Sequence, residues 1–246
     1  MIPKTIHYCW FGRGELPALA RKCIASWKRF FPDYEIKEWN EDNFNVNIVP
    51  YTAEAYKEGG YAFVSDYARF WVLYKYGGVY FDTDVEVIRP MEDVIERGPF
   101  MGFEYIRRKG GFAVAPGLGI AASPGMDLFR EILERYDSLP FLLDNGERNP
   151  FSMIPMVTEM LSDKGLKGNG TIEKVAGINV YPPEWFNPFD DATGRMRKAP
   201  DTCSIHWFAK SWLPEEPAWK TSLKRLAHRL IGVDNSLKIK GLFKKK

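Results

Sequence analysis

Short apolar runs alternate with longer amphipathic stretches along this chain, the order expected of an α/β fold. Residues 4–10 read as a first strand, 17–30 as a helix opening at Pro17, and 34–39 as a second strand with alternating side chains. A short helix around 52–58 precedes a longer one over 63–76, where neither Pro nor Gly interrupts the pattern. Ser65 is expected to cap that helix, with Asp66 in its first turn. Gly77-Gly78 is expected to end it, because glycine enters the left-handed region at little cost. Val79-Tyr80-Phe81 then reads as a buried strand. Further strands are predicted at 85–88, 100–105, 118–122, within 172–181 and at 203–208, and helices at 126–136 and 152–163. The Pro-rich segment 182–201 reads as a surface loop.

Candidate chemistry gathers where strand 79–81 leaves the sheet, the end at which ligands bind in open α/β sheets. In an extended chain Asp82 and Asp84 point to the same side, with Thr83 turned away. Two carboxylates converging on one point either repel or share a cation. Hard divalent ions such as Mn²⁺ or Mg²⁺ accept carboxylate oxygens and keep positions open for substrate phosphates. Asp66 and Arg69, at i and i+3, share one helix face and offer an acceptor beside a cation to a polyhydroxylated ligand. The same pair is also an ordinary surface ion pair.

The assembled string is more specific than its parts. Ser65-Asp66-Tyr67-Ala68-Arg69 followed by Gly77-Gly78-Val79-Tyr80-Phe81-Asp82-Thr83-Asp84 resembles the sugar-binding region of the DxD glycosyltransferases of family 32. That family includes yeast Golgi mannosyltransferases and bacterial capsule and O-antigen enzymes, and it is distantly similar to the glucosylating domains of large clostridial toxins. The opening run from Ile2 to Gly12 is similar to the family's first strand, so the resemblance covers residues 1–125 and thins beyond them.

The resemblance implies a GT-A-type nucleotide-sugar-binding fold, a mixed central sheet flanked by helices. It also implies a metal-dependent transfer that retains anomeric configuration, from a nucleotide-sugar donor (UDP favoured over GDP) to a glycan acceptor, lipid-linked in bacterial surface polysaccharide synthesis. On that basis Asp84 ligates Mn²⁺ or Mg²⁺ directly, Asp82 bridges metal-bound water and the donor, and Asp66 and Arg69 hold donor-sugar hydroxyls. Trp10 stacks on the nucleotide base by the same resemblance, whereas its pattern alone fits a core aromatic equally well. His206 through Trp212 is similar to a late H-x-x-x-x-S-W element of the family. It offers His206 or Ser211 to the metal, and Trp212 as a cover over the donor diphosphate. Arg107 and Arg108 are either diphosphate contacts or a solvated hairpin tip, and Ala115-Pro116-Gly117 departs from the family's Asn-rich approach to the acceptor.

Composition sharpens this picture in three places. The 246 residues, 45% hydrophobic and 27% charged, suit one large globular domain; the 15% aromatic content suits a carbohydrate cleft and a core alike. Cys9, Cys23 and Cys203 are odd in number and widely spaced, as in a reduced, cytoplasmic protein, and no run has the apolar length of a signal core or a membrane span. The net charge of +2 hides an asymmetry: residues 217–246 carry nine Lys/Arg against Asp234 alone, leaving 25 basic against 31 acidic residues elsewhere. The chain therefore divides into a domain over 1–214 and a basic tail over 215–246. Trp219, Leu223, Leu226 and Leu230 make a helical stripe in that tail. This is the pattern of a helix lying on an anionic membrane at its inner face, or of a terminal helix docked on its own domain. The acidic remainder argues against nucleic acid.

Two other classes share some of these features. Phosphatases of the haloacid dehalogenase type also place a D-x-D at a strand end, with the first Asp as nucleophile, but they need a later acidic pair ending an apolar strand. Asp190-Asp191, after Asn187-Pro188-Phe189, supplies no such strand. A non-catalytic nucleotide- or carbohydrate-binding protein on the same scaffold is the other alternative.

Overall fold

Two halves meet in one mixed sheet in the computed structural model, which describes residues 1–106, 110–210 and 217–233. The first half runs β1 (Thr5–Cys9), α1 (Ala18–Phe30), β2 (Glu35–Trp39), α2 (Pro50–Lys57), α3 (Tyr61–Tyr76) and β3 (Gly78–Tyr80). Strand β1 lies between β2 and β3 and is parallel to both. The chain then leaves the main sheet through β4 (Val85–Val87) and α4 (Glu92–Glu96). It re-enters with β5 (Phe100–Tyr105), β6 (Phe112–Val114), a 3₁₀ turn at Pro116–Leu118 and β7 (Ile120–Ala122). Helices α5 (Asp127–Tyr136) and α6 (Met153–Asp163) precede β8 (Glu173–Val175) and β9 (Ile178–Tyr181). Last come α7 (Pro183–Phe186), the β10–β11 hairpin (Phe189–Asp190, Arg195–Met196), β12 (Ser204–His206) and α8 (Ala218–Ile231).

The main sheet has the order β2-β1-β3-β7-β5-β9-β8, with β6 paired to β5. Alternation along its strands feeds two cores, one on each face. Tyr80, Met101 and Ile120 pack with α2, α3, α5 and α6, whereas Ile6, Val79, Phe100 and Ala121 pack with α1, α4 and α7. Because β1 has parallel neighbours on both sides, the chain diverges at its carboxyl end and leaves a crevice there. Trp10 and Asp82 stand just beyond the ends of β1 and β3, at the mouth of that crevice.

The amino-terminal strand is also locked from inside. The Trp39 indole N–H donates to His7 Nδ1 (3.1 Å), and His7 Nε2–H donates to the Gly77 carbonyl (2.9 Å), tying β1 to β2 and to the end of α3. Both bonds require a neutral imidazole. Gly77 adopts φ +64° there, as the helix stop predicts.

Four expectations need correction. Helix α3 begins at Tyr61 with Gly60 at its cap, so Ser65 is interior and its hydroxyl donates to the Tyr61 carbonyl (3.1 Å). Gly60 takes this place because its N–H returns to Ala55 O (2.7 Å) at the tight exit from α2. The segment 118–122 is strand only from Ile120, since Gly119 must pass the Phe81 ring at φ +137°. Residues 182–201 are not a loop: Pro183 opens α7, which buries Trp185 and Phe186, and Phe189 anchors the β10–β11 hairpin. The Asp82–Asp84 segment is a turn rather than extended chain, closed by Val85 N–H to Asp82 O (3.0 Å). Among the described residues no helix is long and apolar enough to cross a membrane.

Candidate metal and donor site

Strand β12 returns from the far end of the chain to pair antiparallel with β4, setting His206 opposite Val85. That register places His206 Nε2 3.1 Å from Asp84 Oδ1. The following backbone holds the same aspartate: Trp207 N–H donates to Asp84 O (3.0 Å) and Ala209 N–H to Asp84 Oδ2 (2.7 Å). Phe208 and Lys210 adopt left-handed backbone angles in this loop, near φ +52° and +51°, and the Phe208 ring meets His206 edge-on at 4.2 Å. Non-glycine residues adopt such angles at a cost, so contacts around Asp84 hold the loop in shape.

Asp82 is fixed from the opposite side. The Tyr80 hydroxyl donates to its Oδ1 (3.0 Å), and Arg69 Nη2 lies 3.1 Å from the same oxygen. That Nη2 also reaches Asp66 Oδ1 at 2.9 Å, while Arg69 Nε–H donates to the Ser65 carbonyl (3.2 Å). Arg69 is only 4% exposed, so the i, i+3 pair is a buried ionic cluster rather than a surface bridge. Gly117 closes over it: a Cβ there would collide with Asp82 Oδ2 and sit 3.5 Å from Arg69 Nη1. The turn brings donor atoms of Asp82, Asp84 and His206 within 4.8 Å of one another, the one such His/Cys/Asp/Glu cluster among the described residues.

Burial raises the proton affinity of Asp82 and pushes Asp66 up to about 6, with Arg69 pulling against both shifts. Burial also works to raise Asp84, but the adjacent His206 and the Ala209 N–H outweigh it and hold Asp84 below the usual carboxylate range. For His206, burial favours the neutral ring, and Asp84 reverses this and raises its pKa. The cluster thus already stabilises positive charge between its carboxylates. Its donor set of two carboxylates and one imidazole fits a divalent cation, and the imidazole favours Mn²⁺ over Mg²⁺. The second ring nitrogen, His206 Nδ1, is buried without a partner among the described residues.

These groups line one cavity of about 700 Å³ together with Trp10, Asp66 and Arg69. Trp10 is half-buried, its indole N–H donating to Gly14 O (2.6 Å), and it both lines the cavity and packs against the neighbouring core. Six residues singled out in the sequence therefore share one space. Ser211, Trp212, Arg107 and Arg108 lie outside the described residues. Asp190 and Asp191 do not line this cavity; Asp191 pairs with Lys210 (2.5 Å) and Arg225 (3.0 Å). Sequence reasoning noted Gly117 only as part of a departure from the family's acceptor approach and Tyr80 only as part of a buried strand, and missed the contact each makes with Asp82.

Residues 17–101 match the family model described as the glycosyltransferase sugar-binding region containing the DXD motif. Over this region the chain is similar to the DXD-motif glycosyltransferases. Two curated relatives come from Schizosaccharomyces pombe. Inositol phosphoceramide mannosyltransferase 3 is 32% identical over 38% of this chain and 27% of its own length. Inositol phosphoceramide mannosyltransferase 1 is 28% identical over 41% and 33%. The chain thus spans about a third or less of the relatives it matches. The solved structure of PaToxG glycosyltransferase superposes with a TM-score of 0.51 at 18% identity, covering 67% of this chain and 70% of that one. This likeness establishes the fold, a GT-A-type mixed sheet flanked by helices.

Proposed function

We propose that this protein transfers a sugar from a nucleotide-sugar donor to a glycan acceptor with a divalent cation held by Asp82, Asp84 and His206. One observation carries the reading: the three-donor cluster lines the same cavity as Asp66, Arg69 and Trp10. When bound, the cation neutralises charge on the departing diphosphate. Asp66 accepts donor-sugar hydroxyls, and Arg69 offers Nη1 to them while Nη2 holds Asp66 and Asp82 in place. Trp10 receives the nucleotide base on its ring face. Ser211 and Trp212, which follow the loop that clasps Asp84, join the metal shell and the diphosphate cover in this reading.

UDP is the nucleotide we assign, and the acceptor is lipid-linked, in keeping with the inositol phosphoceramide named in both yeast relatives. The bacterial setting is surface polysaccharide synthesis, and the product keeps its anomeric configuration. The acceptor oxygen bonds to the anomeric carbon on the face from which the diphosphate leaves, and the acceptor proton passes to the departing oxygen.

Thermal unfolding with UDP-, GDP- and dTDP-sugars, each with and without Mn²⁺, tests the reading. One donor is expected to stabilise the wild type only with metal and to leave Asp84→Asn unchanged. Absence of protection by every donor, with cleavage of a simple phosphate ester through Asp82, would transfer the site to phosphatase chemistry.

A further inference from the structure

Helix α8 sits on the domain the wrong way round for an ordinary amphipathic helix. Its polar side faces inward: Arg225 Nε–H donates to the Asp191 carbonyl (3.0 Å), and Arg225 Nη2 reaches the Asp191 carboxylate (3.0 Å). His228 Nδ1–H donates to Ala192 O (2.8 Å) and Arg229 Nε–H to Thr193 O (2.6 Å), so the helix rests on the turn of the β10–β11 hairpin. Arg225 and Arg229 also fill the space a side chain at Gly194 would need. The apolar side faces out. Trp219, Leu223, Leu226 and Leu230, spaced to share one face, are 64%, 59%, 50% and 75% exposed. Burial of that stripe would be the usual reason for such a helix to form, and a contiguous exposed apolar strip marks a contact surface.

We propose that this face of α8 docks on an anionic lipid bilayer, with Trp219 and the three leucines at the acyl boundary. Charge selects the occupant. Arg225, His228 and Arg229 are engaged by the hairpin, whereas the Lys220 ammonium stands over the Trp219 ring of the stripe; α8 holds no acidic residue, and Lys238, Lys240 and Lys244–Lys246 follow it in the sequence. Apolar stripe and flanking lysines together match the surface of a membrane containing acidic lipids. A second copy of the chain would bring the same cations face to face, and a nucleic acid would leave the apolar stripe without a partner. The turn beneath α8 also touches the candidate site, since Asp191 binds Lys210, next to the residue whose N–H holds Asp84. Through that contact α8 is linked to Lys210, which lines the cavity, and this suits the lipid-linked acceptor of the reading above.

Flotation of the full chain with vesicles of phosphatidylcholine alone, or mixed with phosphatidylglycerol, tests the proposal without donor or metal. Its outcome is therefore separate from that of the catalytic reading. Binding is expected at least about tenfold higher on mixed vesicles, falling about tenfold in Leu223→Ser/Leu226→Ser and again at high salt. Lys220→Glu, which leaves the stripe intact, is expected to weaken binding about fivefold, and an unchanged melting temperature shows that neither variant acts by unfolding. Failure of the wild type to bind mixed vesicles overturns the proposal. Equal binding by the serine variant, or a wild-type dimer that this variant dissolves, overturns it as well.

Discussion

Arg69 Nη2 lies 3.1 Å from Asp82 Oδ1, so the first aspartate beyond β3 is held by a buried guanidinium. The same nitrogen binds Asp66, which makes Arg69 the common counter-charge of two carboxylates. Replacement by Gln leaves both carboxylates half-desolvated and facing one another. The expected loss is about 3 kcal/mol, reduced from the fully buried case because the two carboxylates keep partial solvent access. Urea denaturation of Arg69→Gln measures it directly.

Asp84→Asn and His206→Ala are each expected to weaken Mn²⁺ binding about tenfold or more. Each substitution also breaks the mostly buried Asp84–His206 pair, so a lower melting temperature without metal is expected as well. Isothermal titration with MnCl₂, compared with the metal-free melt, separates the two effects. Equal Mn²⁺ affinity in wild type and both variants would remove this cluster as the metal site.

Gly117→Ala tests the close approach of Gly117 to Asp82 in the cavity wall. The added methyl group collides with Asp82 Oδ2, whose carboxylate cannot swing freely because Tyr80 and Arg69 hold its other oxygen. A stability loss of about 1–2 kcal/mol is expected, together with weaker Mn²⁺ and donor protection than a change of that size explains. Wild-type Mn²⁺ affinity in this variant would show that Asp82 has room to yield.

His7 gives a pH dependence of definite sign. Burial lowers its pKa from 6.5 to about 4, and the neutral ring serves both Trp39 and Gly77. The unfolded chain therefore binds the proton more tightly, so this contribution is complete above pH 6.5 and is lost as pH falls towards 4. The loss is on the order of 3 kcal/mol. Asp66, raised to about 6, slopes the opposite way over part of this window, so the difference between wild type and His7→Gln isolates the histidine. That difference is expected to grow from pH 4 to pH 6.5 in urea melts.

The order of strands and helices was legible because apolar spacing and glycine placement are local signals. Gly77 stopping α3 and the break at Pro17 are of this kind. Much of the candidate site was legible too, because Asp66, Arg69, Asp82 and Asp84 fall within one short helix–strand unit. His206 was reached through resemblance, since its approach to Asp84 depends on a strand pairing that no local pattern announces. Gly117 was illegible for the same reason, its role lying wholly in what a side chain would strike. The segment 182–201 misled because prolines that usually mark loops here open α7 and precede β10, while Trp185, Phe186 and Phe189 are the buried signal. The outward stripe of α8 was visible in sequence, but which side of the helix meets the domain was not.

The pairing of β12 with β4 fixes an order of events during synthesis. The strands of the main sheet, β1 to β9 without β4, pair without any residue beyond Tyr181, whereas His206 reaches Asp84 only once the chain has travelled past both α7 and the β10–β11 hairpin. Contacts of such long sequence separation form late, after the loop they close has lost its freedom. The sheet and the two aspartates are therefore in place before the third donor arrives. A cation that binds the finished cluster more tightly than the aspartates alone draws the last strand into register by mass action, so the ion that would serve the chemistry also seals the fold.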